Sequence, residues 1–268
     1  MACKIGFIGA GNMAQALFRR LLAQRFVAPE SLYISDIHRD LTAKLAAELG
    51  VQVSRDNPTL AQEVDVVVLA VKPISCAGAL RDIRETLGEK PLLSIVLGWT
   101  PEMLRAELTP EAHVLRVMPN TPAMVGEGMT LFGATHTLSE AEFAHAHALF
   151  ASAGDVVVLE DRLFDAATCI SGCGPAFLYQ IIEALGDAGV MYGLPRALAY
   201  RLASQTLVGA GKMALESGLH PGELKDAVCS PGGTTIVGVY ELEKSGVRAA
   251  MIDVISATYA KTKQDFSH

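Results

Sequence analysis

The sequence has few aromatic residues, little positive charge and no long apolar run. Aromatic residues make up 6% of its 268 residues, whereas hydrophobic residues reach 50%. Lys and Arg number 22 against 29 Asp and Glu, and no basic stripe is interleaved with aromatics, which argues against a nucleic-acid partner. The longest apolar stretch, near residues 64–71, is interrupted by Asp65 and falls well short of the ~20 residues of a membrane helix. We expect a small-molecule ligand, no membrane, and apolar surface buried between subunits.

Cysteine pairs of the Cys-x-x-Cys type are also missing. The five cysteines lie mostly in apolar context, which predicts buried free thiols: Cys3, Cys76, Cys169, Cys173 and Cys229. The N-terminal residues MACKIGFIGAGNMAQAL run straight into a strand-like segment, with no basic leader or cleavage site. We therefore expect a cytoplasmic protein.

The first half of the sequence alternates short β-rich runs with amphipathic stretches. It predicts strands over residues 4–8, 32–35, 51–54, 64–71, 92–97 and 113–118, and helices over 12–24, 41–49, 74–87 and 101–108. A strand at 129–132, a helix at 139–150 and a strand at 155–159 are expected to add edge strands. Continuous Val, Ile and Leu runs separated by helices indicate an α/β fold with a Rossmann-type, doubly wound, mostly parallel sheet.

After residue 162 the strand signal stops. Helices are predicted over residues 163–190, 196–217, 222–228, 235–244 and 247–265. We therefore place a domain boundary near Asp161, with a dinucleotide-binding domain at 1–161 and an all-α domain at 162–268. Small residues on these helices allow close helix packing, which favours an intertwined homodimer. A higher assembly of dimers stays open.

A glycine-rich motif lies where a first strand meets a first helix. Gly9-Ala10-Gly11-Asn12-Met13-Ala14 has the pattern G-x-G-x-x-A, in which the first glycine makes the tight turn. The second glycine lets a pyrophosphate approach the backbone, and the small residue at the end permits close packing of the helix on the sheet. The motif and its position predict a dinucleotide site.

Further candidate residues follow the second, fourth and sixth predicted strands. Asp36, after Ser35, is suited to the ribose hydroxyls of NADH, whereas Arg39 is suited to the 2′-phosphate of NADPH or is a solvated charge, so the preference stays open. Ala70, Val71, Lys72 and Pro73 leave the fourth strand, where cofactors of such sheets lie, and form either a cofactor contact or a structural loop. Asn120, after the sixth strand, is a candidate to hydrogen-bond the nicotinamide.

Near the C-terminus, Ser230-Pro231-Gly232-Gly233-Thr234-Thr235 precedes a helical pattern. A helix start with unpaired backbone amides binds anions readily, because the amides and the positive end of the helix dipole both face outward. An ordinary turn between helices is the alternative, since Pro, Gly and Ser are common in loops.

Seven segments, in this order, resemble pyrroline-5-carboxylate reductases along almost the whole chain: GFIGAGNMA, VVLAVKP, RVMPNTPA, SGCGPAFLY, GLPRALA, HPGELKDAV and SPGGTT. The resemblance implies reduction of the cyclic imine Δ1-pyrroline-5-carboxylate to L-proline by NADPH or NADH. It implies that Ser230, Gly232, Gly233 and Thr234 hold the substrate carboxylate and that Thr235, the predicted catalytic residue, hydrogen-bonds the ring nitrogen. The implied cofactor contacts are Gly9, Gly11, Asn12, Met13, Ser35 or Asp36, Asn57, Ala70, Val71, Lys72 and Pro73.

One departure from the family concerns the end of the second strand, where several relatives carry a serine suited to a 2′-phosphate and this chain has Asp36 beside Ser35. Two other classes of protein are alternatives to a pyrroline-5-carboxylate reductase. The β-hydroxyacid dehydrogenases use a catalytic lysine that is absent from residues 171–180, and a nonenzymatic NAD(P) sensor would bind the cofactor without turning it over. No metal is expected, because His145 and His147 are two residues apart on one helix and face different ways.

Overall fold

The computed structural model describes residues 3–265 and separates into two compact units. One unit comprises the described residues up to Pro175 together with those from Thr262 onward. The other comprises Ala176–Lys261. The boundary that the sequence suggests near Asp161 coincides with the start of a helix and stays a prediction.

Eight strands form one sheet in the first unit: β1 (Ile5–Ile8), β2 (Leu32–Ser35), β3 (Gln52–Val53), β4 (Val66–Leu69), β5 (Leu92–Ser94), β6 (Val114–Met118), β7 (Gly128–Gly133) and β8 (Gly154–Leu159). Their order is β3-β2-β1-β4-β5-β6-β7-β8. Neighbours run parallel except β6 and β7, which pair antiparallel. The predicted mostly parallel sheet is confirmed. Of the two strands expected at the edge, β8 lies there and β7 lies one strand inside it.

Helices cover both faces of this sheet: α1 (Asn12–Ala23), α2 (Arg39–Leu49), α3 (Asn57–Glu63), α4 (Pro73–Ile83), α5 (Pro101–Glu107), α6 (Glu140–Ala151) and α7 (Asp161–Ser171). Short 3-10 helices lie at Pro29–Ser31 and Thr121–Val125. Side chains alternate between faces along a strand. Phe7 accordingly packs in a core with Leu17 of α1, whereas Ile8 packs in a second core with Leu60 of α3 and Leu80 of α4.

Strand β1 lies between β2 and β4, and its last residue, Ile8, pairs with both Ser35 and Leu69. Strand order runs outward from β1 to β2 and β3 on one side, and continues from β4 on the other. Ligands of open α/β sheets bind at the carboxyl ends of the strands where the order reverses in this way. The glycine-rich turn after β1 therefore lies at the topological switch point.

One helix of the first unit was not predicted. Helix α3 occupies Asn57–Glu63, between the predicted strands at 51–54 and 64–71. Its start has a recognisable signal, because the Asp56 side chain accepts a hydrogen bond from the Thr59 amide at 2.8 Å and Pro58 lies in the first turn. The helix is short, with too few residues to show a clear apolar period.

The predicted single helix over residues 163–190 is wrong. The structure has two helices there, α7 and α8 (Gly174–Met191), separated at Gly172 and Cys173. The Gly172 amide still donates to the Thr168 carbonyl at 2.8 Å, and this residue caps α7. Pro175 has no amide hydrogen, so it is tolerated only in the first turn of a helix and favours a new start at this point.

The second unit consists of helices: most of α8, then α9 (Arg196–Ser217), α10 (Pro221–Val228), α11 (Thr234–Lys244) and the larger part of α12 (Val247–Asp265). The predicted bounds of α9 and α12 are confirmed. Most of the large apolar side chains that the chain leaves exposed lie from Ile170 onward. Within residues 3–265, no helix is both long and apolar enough to cross a membrane.

All five cysteines are free thiols, as expected, but the prediction that they are buried holds only for Cys76 and Cys169. Cys3, Cys173 and Cys229 are half-buried, because each lies near the end of a structural element rather than in its interior. Burial raises the pKa of Cys76 to about 12, so this side chain stays a neutral thiol.

Candidate cofactor and substrate sites

The first glycine of the motif is required by the fold. Gly9 has φ +97°, and a Cβ atom there would lie 2.5 Å from the Ala70 carbonyl oxygen at the end of β4. Its amide donates to the Ser35 carbonyl at the end of β2, at 2.8 Å. Gly9 is therefore held between the ends of two neighbouring strands, where a side chain has neither space nor a favourable backbone conformation.

The second glycine has a different environment. Gly11 is the N-cap of α1 with an ordinary φ of −69°, and a Cβ atom there would meet nothing within 4 Å. Neither backbone strain nor packing within the chain requires a glycine here. Because Gly11 has no side chain and the first turn begins with Asn12 and Met13, the start of α1 leaves open space beside backbone amides. A diphosphate fits this cradle.

Ala14 closes the motif in a fully buried position within the core cluster that contains Phe7. The small side chain lets α1 lie close to the sheet, as the motif predicts.

Asp36 ties the glycine turn to the end of β2. Its Oδ2 accepts a hydrogen bond from the Ala10 amide at 2.8 Å, and its Oδ1 accepts one from the His38 amide at 2.9 Å. Each carboxylate oxygen keeps one acceptor site for a ligand. Nearby, Arg39 donates to the Arg55 carbonyl at 2.6 Å and is otherwise exposed. The anchoring role of Asp36 has no signal in the local sequence.

Beside Asp36, a chain of side-chain hydrogen bonds begins at Ser35. Its Oγ donates to Asn57 Oδ1 at 2.9 Å, and Asn57 Nδ2 donates to Asp82 Oδ2 at 3.1 Å. Ser35 is 3% exposed, whereas Asn57 is half-buried and Asp82 is exposed. The structure thus brings two predicted cofactor residues together and adds Asp82, which the sequence did not single out.

The segment after β4 lies on the other side of the glycine turn. The Ala70 amide donates to the Ile8 carbonyl at 2.8 Å, and Val71 packs against the core cluster that contains Leu69. Lys72 is the exposed N-cap of α4, and Pro73 is its first residue. The four residues 70–73 therefore border the switch point, and their contact with a cofactor stays a prediction.

Two isoleucines that the sequence analysis did not single out are strongly exposed at this edge. Ile37, two residues after β2, is 86% exposed, and Ile74, in the first turn of α4, is 93% exposed. Burying such side chains is favourable, so both offer apolar surface to a ligand.

Asn120 lies after β6, and both polar atoms of its side-chain amide already make a hydrogen bond within the chain. Its Oδ1 accepts from the Met129 amide and its Nδ2 donates to the Ser171 carbonyl, each at 2.9 Å, and the residue is 8% exposed. One amide hydrogen and one acceptor site remain. The predicted contact with the nicotinamide stays a prediction, and the visible role of Asn120 is to connect β6, β7 and the end of α7.

The second candidate site is the start of α11. Gly232 has φ +70°, and the Gly233 amide donates to the Ser230 carbonyl at 3.0 Å. Gly233 is the N-cap of α11 with φ −77°, and Thr234 and Thr235 follow in the first turn with their side chains exposed. With a glycine as N-cap, the amides of this turn have no side-chain cap and face outward. The segment is therefore a turn whose following amides are open to a ligand, and the binding of an anion there stays a prediction.

The two histidines considered in the sequence analysis as a metal pair lie on one helix, α6. His145 Nε2 lies 3.4 Å from Cys3 Sγ, whereas the ring of His147 meets Phe132 edge-on, so the two histidines have different neighbours. Among residues 3–265, no group of three His, Cys, Asp or Glu side chains is placed to hold a metal ion.

A glycine turn at the switch point of a mostly parallel sheet is typical of dinucleotide-binding proteins, and comparison with known families identifies this chain as a nicotinamide-dinucleotide oxidoreductase. Two family models match the chain. One, described as NADP oxidoreductase coenzyme F420-dependent, matches residues 4–98. The other, described as pyrroline-5-carboxylate reductase dimerisation, matches residues 161–265.

Similar proteins narrow this class. The pyrroline-5-carboxylate reductase of Methanosarcina acetivorans is 40% identical over 262 residues, which cover 97% of each chain. That of Synechocystis is 39% identical over 264 residues, or 98% of each chain. The crystal structure of Plasmodium falciparum pyrroline carboxylate reductase with NADP bound matches with a TM-score of 0.90, at 33% identity over 98% of each chain. The chain belongs to the pyrroline-5-carboxylate reductase family.

Proposed function

We propose that this chain reduces Δ1-pyrroline-5-carboxylate to L-proline with NADPH or NADH, the last step of proline biosynthesis. The observation that carries the proposal is the open start of α11, where Gly232 and Gly233 precede two threonines. Backbone amides at such a start suit a carboxylate. In a member of this family that also carries a dinucleotide cradle, the carboxylate is that of the imine substrate.

The cofactor is held at the carboxyl edge of the sheet. The amides after Gly11, from Asn12 and Met13, take the diphosphate, and Gly9 keeps the turn tight. Ile37 and Ile74 offer apolar surface to the adenine, and the adenosine ribose lies beside these residues: Ser35, Asp36 and Asn57. Residues 70–73 and Asn120 border the nicotinamide side. When bound, the reduced cofactor supplies the hydride that converts the protonated C=N bond to an amine.

The substrate is held by the turn before α11. Ser230 and the amides of Gly232 and Thr234 bind its carboxylate beside Gly233, whose own amide is bonded to the Ser230 carbonyl. The Thr235 hydroxyl hydrogen-bonds the ring nitrogen. A protonated imine is already electrophilic, so orientation and exclusion of water supply most of the catalysis. This explains why a strong acid or base is not needed among the proposed substrate contacts.

We also propose that the chain forms a homodimer through the helices after Asp161. The exposed apolar side chains concentrated from Ile170 onward support this, because large exposed apolar patches mark interfaces. The matching family model over residues 161–265 is described as a dimerisation domain. Sedimentation of the whole chain tests the proposal and also separates a dimer from a higher assembly. A stable, active monomer at nanomolar concentration would contradict it.

We propose a cytoplasmic location because all five cysteines are free thiols. Thiols stay reduced in the cytoplasm, where disulfides are rare. Fractionation of cells that contain the protein tests this, and recovery of the enzyme from an oxidising compartment would contradict it.

The activity is tested by following the oxidation of NADPH and NADH with Δ1-pyrroline-5-carboxylate and identifying the product. We expect one L-proline for each cofactor oxidised. A chain that binds cofactor but does not oxidise it would be the sensor considered above. Oxidation of a β-hydroxyacid with no reduction of the imine would indicate the rival dehydrogenase class instead.

A further inference from the structure

Three polar side chains at the carboxyl edge form a directed chain of hydrogen bonds. Ser35 is the last residue of β2, Asn57 is the first residue of α3, and Asp82 lies in the last turn of α4. The Ser35 Oγ to Asn57 Oδ1 distance is 2.9 Å, and the Asn57 Nδ2 to Asp82 Oδ2 distance is 3.1 Å. Three separate elements are thus joined through one amide group.

The direction of this chain is determined by Asp82. An ionised carboxylate only accepts hydrogen bonds, so the amide must turn its Nδ2 toward Asp82. The Oδ1 of Asn57 then faces Ser35, and the serine hydroxyl must donate. A serine hydroxyl either donates or accepts, so Ser35 alone would allow both orientations of the amide. Asp82 removes one of them.

We propose that Asp82 is a positioning residue for the cofactor, acting through Asn57. With its amide fixed, Asn57 presents one remaining N–H donor and one acceptor site toward the adenosine ribose. The half-buried position of Asn57, beside the end of β2, supports this role. The inference rests on the proposed function, because it takes the carboxyl edge as the cofactor site.

A second way for Asp82 to act is through its charge. A carboxylate near the ribose would repel the 2′-phosphate of NADPH and leave NADH unaffected. Orientation, by contrast, affects the ribose contact that both cofactors share. Asp82→Asn separates the two effects, because it removes the charge and keeps an oxygen that accepts from Asn57.

The test measures the dissociation constants of NADPH and NADH by cofactor fluorescence for wild type, Asp82→Ala, Asp82→Asn, Asn57→Ala and the double variant Asp82→Ala/Asn57→Ala. Glu85→Ala, which removes an exposed acid three residues away, is the matched control. Loss of one hydrogen bond predicts that Asp82→Ala raises both dissociation constants about three- to tenfold. We expect Asp82→Asn and Glu85→Ala to bind like wild type, with the cofactor KM following the dissociation constant at constant kcat.

The double variant gives the sharpest result. If Asp82 acts only through Asn57, then Asp82→Ala has no further effect once Asn57 is alanine. Additive losses, a change confined to NADPH, an Asp82→Asn variant as weak as Asp82→Ala, or no change in Asp82→Ala would each overturn the inference. Thermal unfolding of every variant identifies loss of binding that comes from loss of the fold, which would also count against a positioning role.

The outcome is separable from that of the proposed function. A wild-type chain that binds both nucleotides and fails to reduce the imine would overturn the proposed substrate only. A chain that binds neither nucleotide would overturn the cofactor site and the inference with it.

Discussion

Helices α1 and α11 each begin at a glycine N-cap, and the surroundings of the two glycines differ. At α1, the turn is fixed from several sides: Gly9 against Ala70, the Ala10 amide by Asp36, and Ala14 in the core. At α11, the visible support is local, the bond from the Gly233 amide to the Ser230 carbonyl. The same backbone arrangement is therefore rigidly built in one unit and exposed in the other. We therefore expect some glycine substitutions to change the stability of the fold and others to change only ligand binding.

The largest expected effect comes from substituting the first glycine of the motif, and the second glycine serves as the comparison. Gly9→Val places a β-branched residue at φ +97° against the Ala70 carbonyl, and we expect it to lower the free energy of unfolding by about 2–5 kcal/mol. Gly11→Ala has open space for its methyl group, so stability should change by less than ~1 kcal/mol while cofactor affinity falls. Chemical denaturation and cofactor titration measure the two. Equal stability losses would contradict the distinction drawn between these glycines.

At the start of α11, the corresponding change is Gly233→Val. A Cβ atom at Gly233 would overlap Ser230 Oγ, although its φ of −77° is ordinary, so the cause is steric and not the backbone strain that Gly232 would show. We expect the KM for the imine to rise about a hundredfold with unchanged cofactor affinity. Gly238→Val on the same helix, where a Cβ meets nothing within 4 Å, is the control. An unaltered KM would mean that this segment is only a turn.

Thr235→Ala tests the side chain that follows. Loss of a hydrogen bond to a charged group costs about 1.5–3 kcal/mol, so kcat/KM for the imine should fall about ten- to a hundredfold. Cofactor affinity should stay as in wild type. Thr235→Ser keeps the hydroxyl and should recover most of the activity. A collapse by many more orders of magnitude would identify Thr235 as an essential proton donor, contrary to an orienting role.

The smallest effect is expected at Asp36. Removing a carboxylate near the 2′-phosphate in Asp36→Ser should shift selectivity toward NADPH by about 1–2 kcal/mol, or roughly tenfold. Because Asp36 also anchors the Ala10 and His38 amides, both cofactors should bind more weakly than to wild type. The ratio of kcat/KM values for NADPH and NADH checks this. A constant ratio would show that the carboxylate serves the turn alone.

Local patterns in the sequence predicted the elements that carry the two turns. Gly9 and Gly11 follow a buried strand, and the glycines at 232 and 233 precede an apolar helix, so both positions could be read from neighbours in the chain. The partners of Asp36 and Asn57 could not, because the Ala10 amide and Asp82 lie 26 and 25 residues away from them. Such bonds depend on which strands become neighbours in the sheet.

The break after α7 shows a different limit. Apolar periodicity continues across Gly172 and Cys173, and the prediction followed it through a glycine that helices tolerate. The signal that the helix restarts was Pro175, which is favoured in a first turn and excluded from an interior.

The central claim is that the start of α1 binds the cofactor diphosphate and the start of α11 binds the substrate carboxylate. A crystal structure of the chain with NADP⁺ and L-proline would test this claim most directly. We predict diphosphate oxygens within about 3 Å of the amides after Gly11, and the proline carboxylate within the same distance of the amides of Thr234 and Thr235. A carboxylate bound elsewhere, with the start of α11 facing solvent, would contradict the account.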